Sequence, residues 1–128
     1  MKALLDTSVL IATDVPTLEG ELAISTASLA ELHFGVLVTG VPAIRAERLR
    51  RLSDLQRKFD ALPVDDEVAT SYGQLAAAVV STRRQPRSRV MDLLIAATAT
   101  AHAHGARLYP RNAADLVGIE HVIEIVAV

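Results

Sequence analysis

ALLDTSVLIA, residues 3–12, joins an apolar run of strand length to a helix-compatible run through a single acid, Asp6. ALL is too short for a buried helix and suits an interior strand, whereas TSVLIAT fits a helix. The next apolar run, ELAIS at 21–25, again has strand length. Strand, helix, strand in that order is the start of an α/β fold with a mainly parallel sheet. In such sheets ligands collect beyond the carboxyl ends of the strands, which is where Asp6 falls.

Working outward, residues 27–38 (ASLAELHFGVLV) read as a helix closed by Gly40 and Pro42. Residues 44–61 and 66–83 read as two longer helices separated by Pro63. The Ala-rich segment from Asp92 to His104 reads as a helix stopped by Gly105. RLY at 107–109 is a short strand, NAAD at 112–115 a turn or helix start, and HVIEIVAV at 121–128 a β-branched terminal strand. No repeat, low-complexity tract or linker interrupts the pattern, and 1–128 reads as one domain with a self-sufficient core.

Asp6 has three counterparts: Glu31 in TASLAELHFGVL, Asp92 in RVMDLLIAATATA and Asp115 in RNAADLVG. None of these apolar runs holds a basic residue internally, and a carboxylate withdrawn from water needs a partner or loses its charge. If the fold gathers the four, each pair about 5 Å apart repels by roughly 3 kcal/mol at an effective dielectric near 20. Such a site binds a cation or stays partly protonated. An all-oxygen donor set selects hard ions such as Mg2+ or Mn2+. Each acid also has a plain structural reading. Asp6 and Asp92 are suited to cap the helices that follow them, Glu31 stands three residues after Ser28 as in a capping box, and Asn112 with Asp115 has the spacing of a helix start.

Composition narrows the function classes. With 51% hydrophobic and 22% charged residues the chain is folded rather than disordered. The absence of cysteine removes disulfide frameworks, thiolate metal sites and cysteine nucleophiles. The start, with Lys2 ahead of ALL and VLIA, is broken by Asp6, Asp14 and Pro16 and reads as mature cytosolic sequence rather than a leader. No window is apolar enough to span a membrane. Net charge is −2, yet Arg45, Arg48, Arg50, Arg51, Arg57 and Lys58 share one helical stretch and Arg83, Arg84, Arg87 and Arg89 another. These either solvate a helix face, with Leu52, Leu55, Phe59 and Leu62 turned inward, or form basic patches beside an acidic site. His102 and His104 point to different faces of a helix and suit helix-end roles. Phe34, Phe59, Tyr72 and Tyr109 give no stacking platform for single strands.

The ordered motifs LLDTSVLIA, ASLAELHFGVL, MDLLIAATA and YPRNAADL together resemble the PIN-domain ribonucleases, and within them the VapC toxins of prokaryotic toxin–antitoxin pairs. The resemblance runs from end to end. It implies an α/β/α sandwich with a central, mainly parallel sheet. It also implies an acidic catalytic site of Asp6, Glu31, Asp92 and Asp115 with Ser8 and Asn112 as polar support. Asp6, Asp92 and Asp115 are then expected to hold Mg2+ or Mn2+, and Glu31 to orient or deprotonate the attacking water. RNA cut to leave a 5′-phosphate, a VapB-like antitoxin partner, a homodimer, toxin–antitoxin hetero-oligomers and a cytoplasmic location in a prokaryote follow from the same resemblance. Pro110 stands where the family commonly has Thr, and Leu116 where an aromatic residue often follows the last acid.

Other classes fit less well. A phosphorylated receiver domain needs a late-strand lysine, and the only lysines are Lys2 and Lys58. A nucleotide-binding module would show GxGxxG or GxxxxGK(S/T), and neither occurs. The remaining alternative is a non-catalytic RNA- or antitoxin-binding protein of the same fold, whose acidic pocket receives an arginine.

Overall fold

The computed structural model describes residues 2–11, 21–81, 89–102, 107–110, 119 and 124–126. In chain order the elements are β1 (Lys2–Leu5), α1 (Thr7–Ile11), β2 (Glu21–Ser25), α2 (Thr26–Val38), α3 (Pro42–Lys58), β3 (Asp60–Leu62), α4 (Asp66–Ser81), α5 (Val90–His102), β4 (Arg107–Tyr109) and β5 (Glu124–Ile125). The strands form one all-parallel sheet in the order β3-β2-β1-β4-β5. β1 lies in the middle, with Leu4 opposite Ala23 on one side and Leu108 on the other.

Residue alternation along the strands builds the two flanking layers. Leu4, Ala23 and Leu108 face α4 and α5, where Val68, Leu75, Val79, Leu93 and Ile95 complete one core. Ala3, Leu5, Ile24 and Tyr109 face the other way, onto Val9, Leu10 and Leu55 of α1 and α3, with Leu29 and Leu32 of α2 packed alongside. Because both faces are covered, β1 is apolar at every position of ALL and each of those residues is buried. This is the α/β/α sandwich expected from the sequence.

Two buried hydroxyls join the layers. Ser25 ends β2 and caps α2, its Oγ accepting from Ala27 N at 3.0 Å. The same Oγ lies 2.8 Å from Thr98 Oγ1 of α5, and both side chains are fully buried. Thr98 Oγ1 donates to Leu94 O at 2.7 Å. A hydroxyl carries one proton, so Ser25 is the donor to Thr98.

Some local expectations change. The helix expected over 44–61 ends at Lys58, and residues 60–62 form β3 against β2, with Ala23 opposite Asp60. Leu52, Leu55, Phe59 and Leu62 keep a helical spacing, but Pro63 disfavours helical geometry in the residue before it, and the edge of β2 offers parallel pairing instead. Pro42 opens α3 at its first turn rather than closing α2, a position where its missing N–H costs nothing. Ser28 and Glu31 form no capping box, because α2 begins at Thr26 and both lie inside it. Asp92 is the third residue of α5, within its first turn rather than at the cap. Asn112, Asp115 and Leu116, and residues 83–88 of the second basic segment, lie outside the described residues.

Candidate active site

Asp6 is fixed from both sides by its backbone. Its N–H donates to Tyr109 O at 3.1 Å, extending the β1–β4 pairing by one step. Its carbonyl accepts from Val9 N at 3.0 Å and Leu10 N at 3.2 Å, which opens α1. The carboxylate is therefore held at the carboxyl end of the central strand, as the first motif implied. It is half-buried, and its Oδ2 accepts from Ser8 Oγ at 2.5 Å. Ser8 thus supports Asp6 as expected.

Thr7, next in the chain, reaches across to α2. Its Oγ1 donates to Glu31 Oε1 at 2.6 Å and lies 3.0 Å from Ser28 Oγ. Asp6 and Glu31 are in this way tied through one residue. Neither forms an ion pair with a described residue; their described polar side-chain partners are hydroxyls.

Asp92 is half-buried in the first turn of α5, a location where the helix dipole favours a negative charge. Met91, its neighbour, shares a cavity of about 360 Å³ with Ala30, Glu31 and Phe34 of α2, so the start of α5 faces the Glu31 side of α2. Among the described residues, no group of three or more acidic or imidazole side chains closes into a ready cation site. The structure brings Asp6 and Glu31 together and places Asp92 on the neighbouring helix.

A larger groove of about 540 Å³ runs from Thr7 and Glu31 between α1, α2 and α3, past Ile11 and Ile44 to Arg48 and Arg51. The arginines of α3 do more than solvate it. Arg51 Nη2 donates to Leu10 O of α1 at 2.7 Å, Arg48 Nη1 to Gly35 O of α2 at 2.7 Å, and Arg45 Nη2 to Thr39 O at 2.9 Å. They bring cations to the carbonyl ends of α1 and α2, which have no basic residue in their own last turns. That absence, followed by a basic run on the next helix, was the available sequence signal for this role.

The described histidines stay out of the site. His33 is exposed, and His102 Nε2 lies 3.0 Å from Asp65 Oδ2, joining the end of α5 to the start of α4. Asp65 Oδ1 accepts from Val68 N at 3.1 Å and so caps α4. That backbone amide, more than His102, holds the Asp65 carboxyl below its usual range, while partial burial opposes the shift. His104 lies outside the described residues.

The sheet order and Asp6 at the end of its central strand are those of a PIN-type domain, and the family model of the PIN domain matches residues 3–108: the chain belongs to this family. Among characterised proteins it is similar to ribonuclease VapC5 of Mycobacterium tuberculosis, 38% identical over 105 residues that cover 77% of this chain and 76% of that protein. It is also similar to ribonuclease VapC4 of the same species, 35% identical over 109 residues, 79% of this chain and 80% of the relative. The crystal structure of VapBC-5 from M. tuberculosis, a member of the VapBC family of toxin–antitoxin systems, superposes with a TM-score of 0.82 at 30% identity, covering 99% of this chain and 97% of that one. FitAcB from Neisseria gonorrhoeae shares the fold with a TM-score of 0.76 at 21% identity, over 98% of this chain and 96% of its own.

Proposed function

We propose that this chain is a metal-dependent endoribonuclease, the toxin of a toxin–antitoxin pair, acting as a single domain over residues 1–128. The observation that carries the reading is Asp6 fixed at the carboxyl end of the central strand and linked through Thr7 to Glu31. The ribonuclease VapC relatives support the choice of RNA.

In this reading Asp6, Glu31, Asp92 and Asp115 are the catalytic carboxylates, and Asp6, Asp92 and Asp115 would hold Mg2+ or Mn2+. The described donors fit: Asp6 and Asp92 are half-buried carboxylates, Asp6 with hydroxyl support, and the described imidazoles lie elsewhere in a chain without thiolates. Such an ion supplies Lewis-acid charge that favours attack on phosphorus. Ser8 fixes the orientation of Asp6 by donating to Oδ2. Glu31 orients the attacking water and takes its proton as the new O–P bond forms and the P–O3′ bond breaks; solvent protonates the departing O3′, leaving a 5′-phosphate and a 3′-hydroxyl.

A VapB-like antitoxin is the proposed partner, with homodimers and toxin–antitoxin hetero-oligomers as the assemblies, in the cytoplasm of a prokaryote. The VapBC structure at 30% identity supports it. So does the exposed apolar surface of Phe34, Leu37, Val38 and Val41 where α2 meets α3, which suits a covering segment that could also set an Arg among the carboxylates. Among the described residues, no helix is long and apolar enough to cross a membrane.

The test is cleavage of a structured RNA mixture by purified protein with Mg2+, Mn2+ or chelator, beside an Asp6→Asn variant purified identically. Cutting that needs the ion and disappears in the variant supports the enzyme. Intact RNA in every arm points instead to a binding protein of this fold.

A further inference from the structure

We infer that Thr7 is a positioning residue that holds the Glu31 carboxylate for reaction, its hydroxyl bridging Ser28 and Glu31. This inference rests on the reading of Glu31 as the group that orients the attacking water.

Three side chains from two elements make the bridge. Thr7 is the first residue of α1, while Ser28 and Glu31 lie three apart on α2 and so share a face. Thr7 Oγ1 sits between them, 3.0 Å from Ser28 Oγ and 2.6 Å from Glu31 Oε1. An ionised carboxylate only accepts hydrogen bonds, and a threonine hydroxyl has one proton, so that proton goes to Glu31. The 3.0 Å contact with Ser28 Oγ leaves Thr7 bridging a buried hydroxyl and the carboxylate. Ser28 is fully buried, so its hydroxyl is shielded from competing water, whereas Glu31 is only half-buried and lines the groove.

The geometry has a functional consequence. A glutamate on a partly exposed helix face explores several rotamers, and a short charge-assisted hydrogen bond selects one of them. The same residue follows Asp6, whose backbone is pinned to Tyr109 O, so Thr7 sets the separation between a strand-end carboxylate and a helix carboxylate. Thr7 touches no reacting atom in this account and acts through Glu31. The hydroxyl is what matters, so serine replaces it and valine, with nearly the same shape, does not.

The experiment compares wild type, Thr7→Val, Thr7→Ser and Glu31→Gln in steady-state cleavage of an end-labelled mixed-sequence RNA at saturating Mg2+, with melting curves as the folding control. Misplacing a catalytic group by about 1 Å costs on the order of 100-fold, so Thr7→Val is expected to lose about 10- to 100-fold in turnover with apparent KM within about twofold. Thr7→Ser is expected to stay within about threefold of wild type, because it keeps the donor. Thr7→Val at wild-type turnover beside an inactive Glu31→Gln overturns the bridge and leaves the nuclease reading intact. Equal losses in Thr7→Val and Thr7→Ser also overturn it, since packing of the methyl group is then the cause. A fully active Glu31→Gln, or a wild type that cuts nothing, removes the underlying reading and the inference with it. Should Thr7→Val fail to fold, Ser28→Ala gives the decision. A loss of turnover at constant apparent KM supports the bridge, and unchanged turnover overturns it.

Discussion

Replacing Ser25 by Ala tests the joint between the two helical layers. Ser25 Oγ accepts from Ala27 N and donates to Thr98 Oγ1, and both hydroxyls are fully buried. Loss of an N-cap hydroxyl costs about 0.5–2 kcal/mol. Leaving the Thr98 oxygen without the incoming donor adds about 1 kcal/mol, since the net value of a buried hydrogen bond is of that order. The expected total for Ser25→Ala is about 1.5–3 kcal/mol. Thr98→Val strands the Ser25 proton in an apolar interior and costs about 1–3 kcal/mol. In the double variant the proton and its acceptor vanish together, so the combined loss falls short of the sum of the singles by about 1 kcal/mol. Urea unfolding at neutral pH, comparing midpoints at constant slope, measures all three variants. Strict additivity, or a loss below about 0.5 kcal/mol for Ser25→Ala, would refute the hydroxyl accounting. The site is coupled to this joint, because Glu31 follows Ser25 by less than two turns of α2 and Asp92 precedes Thr98 by less than two turns of α5.

Asp65→Asn is expected to lower the melting temperature at pH 7, where the native carboxylate caps α4 and meets His102. Because the folded-state value of Asp65 is depressed below 3.8, its contribution is present above that pH and is lost as pH falls through the lower folded value. Melting curves of the two proteins should therefore converge in acid below about pH 4, and a constant gap down to pH 2 would contradict the assignment. Arg51→Met keeps the aliphatic stem but abandons Leu10 O, and a loss of about 0.5–1.5 kcal/mol is expected by urea unfolding. Arg51→Lys should recover only part of that, since a point ammonium does not reproduce the guanidinium fork.

The α/β/α layering was legible because β1 and β2 are short apolar runs ended by polar residues, and because helices of clear period follow them. The position of Asp6 beyond β1 was legible for the same reason. β3 was not, since Phe59 and Leu62 continue a helical spacing and three residues carry too little pattern to reveal an edge strand. Ser28 and Glu31 show why spacing alone misleads: three residues apart is the interval of a capping box and also of two neighbours on one helix face, and only the approach of Thr7 from α1 distinguishes them. The targets of Arg45, Arg48 and Arg51 are backbone carbonyls at the ends of α1 and α2; the lack of basic residues in those last turns hints at the role, but which carbonyl each arginine reaches depends on how the helices pack. The pairing of His102 with Asp65 depends likewise on how α4 meets α5. The proposed share of Asn112 and Asp115 in the site rests on motif order, as both lie outside the described residues.

The central proposal is that Asp6, Asp92 and Asp115 hold the divalent cation. Mn2+ titration calorimetry on wild type and on the three single Asp→Asn variants, each shown to be folded, tests it without needing an RNA. The account predicts saturable binding to wild type that each substitution abolishes or sharply weakens. Wild-type affinity in all three variants, or no binding by wild type, would contradict it.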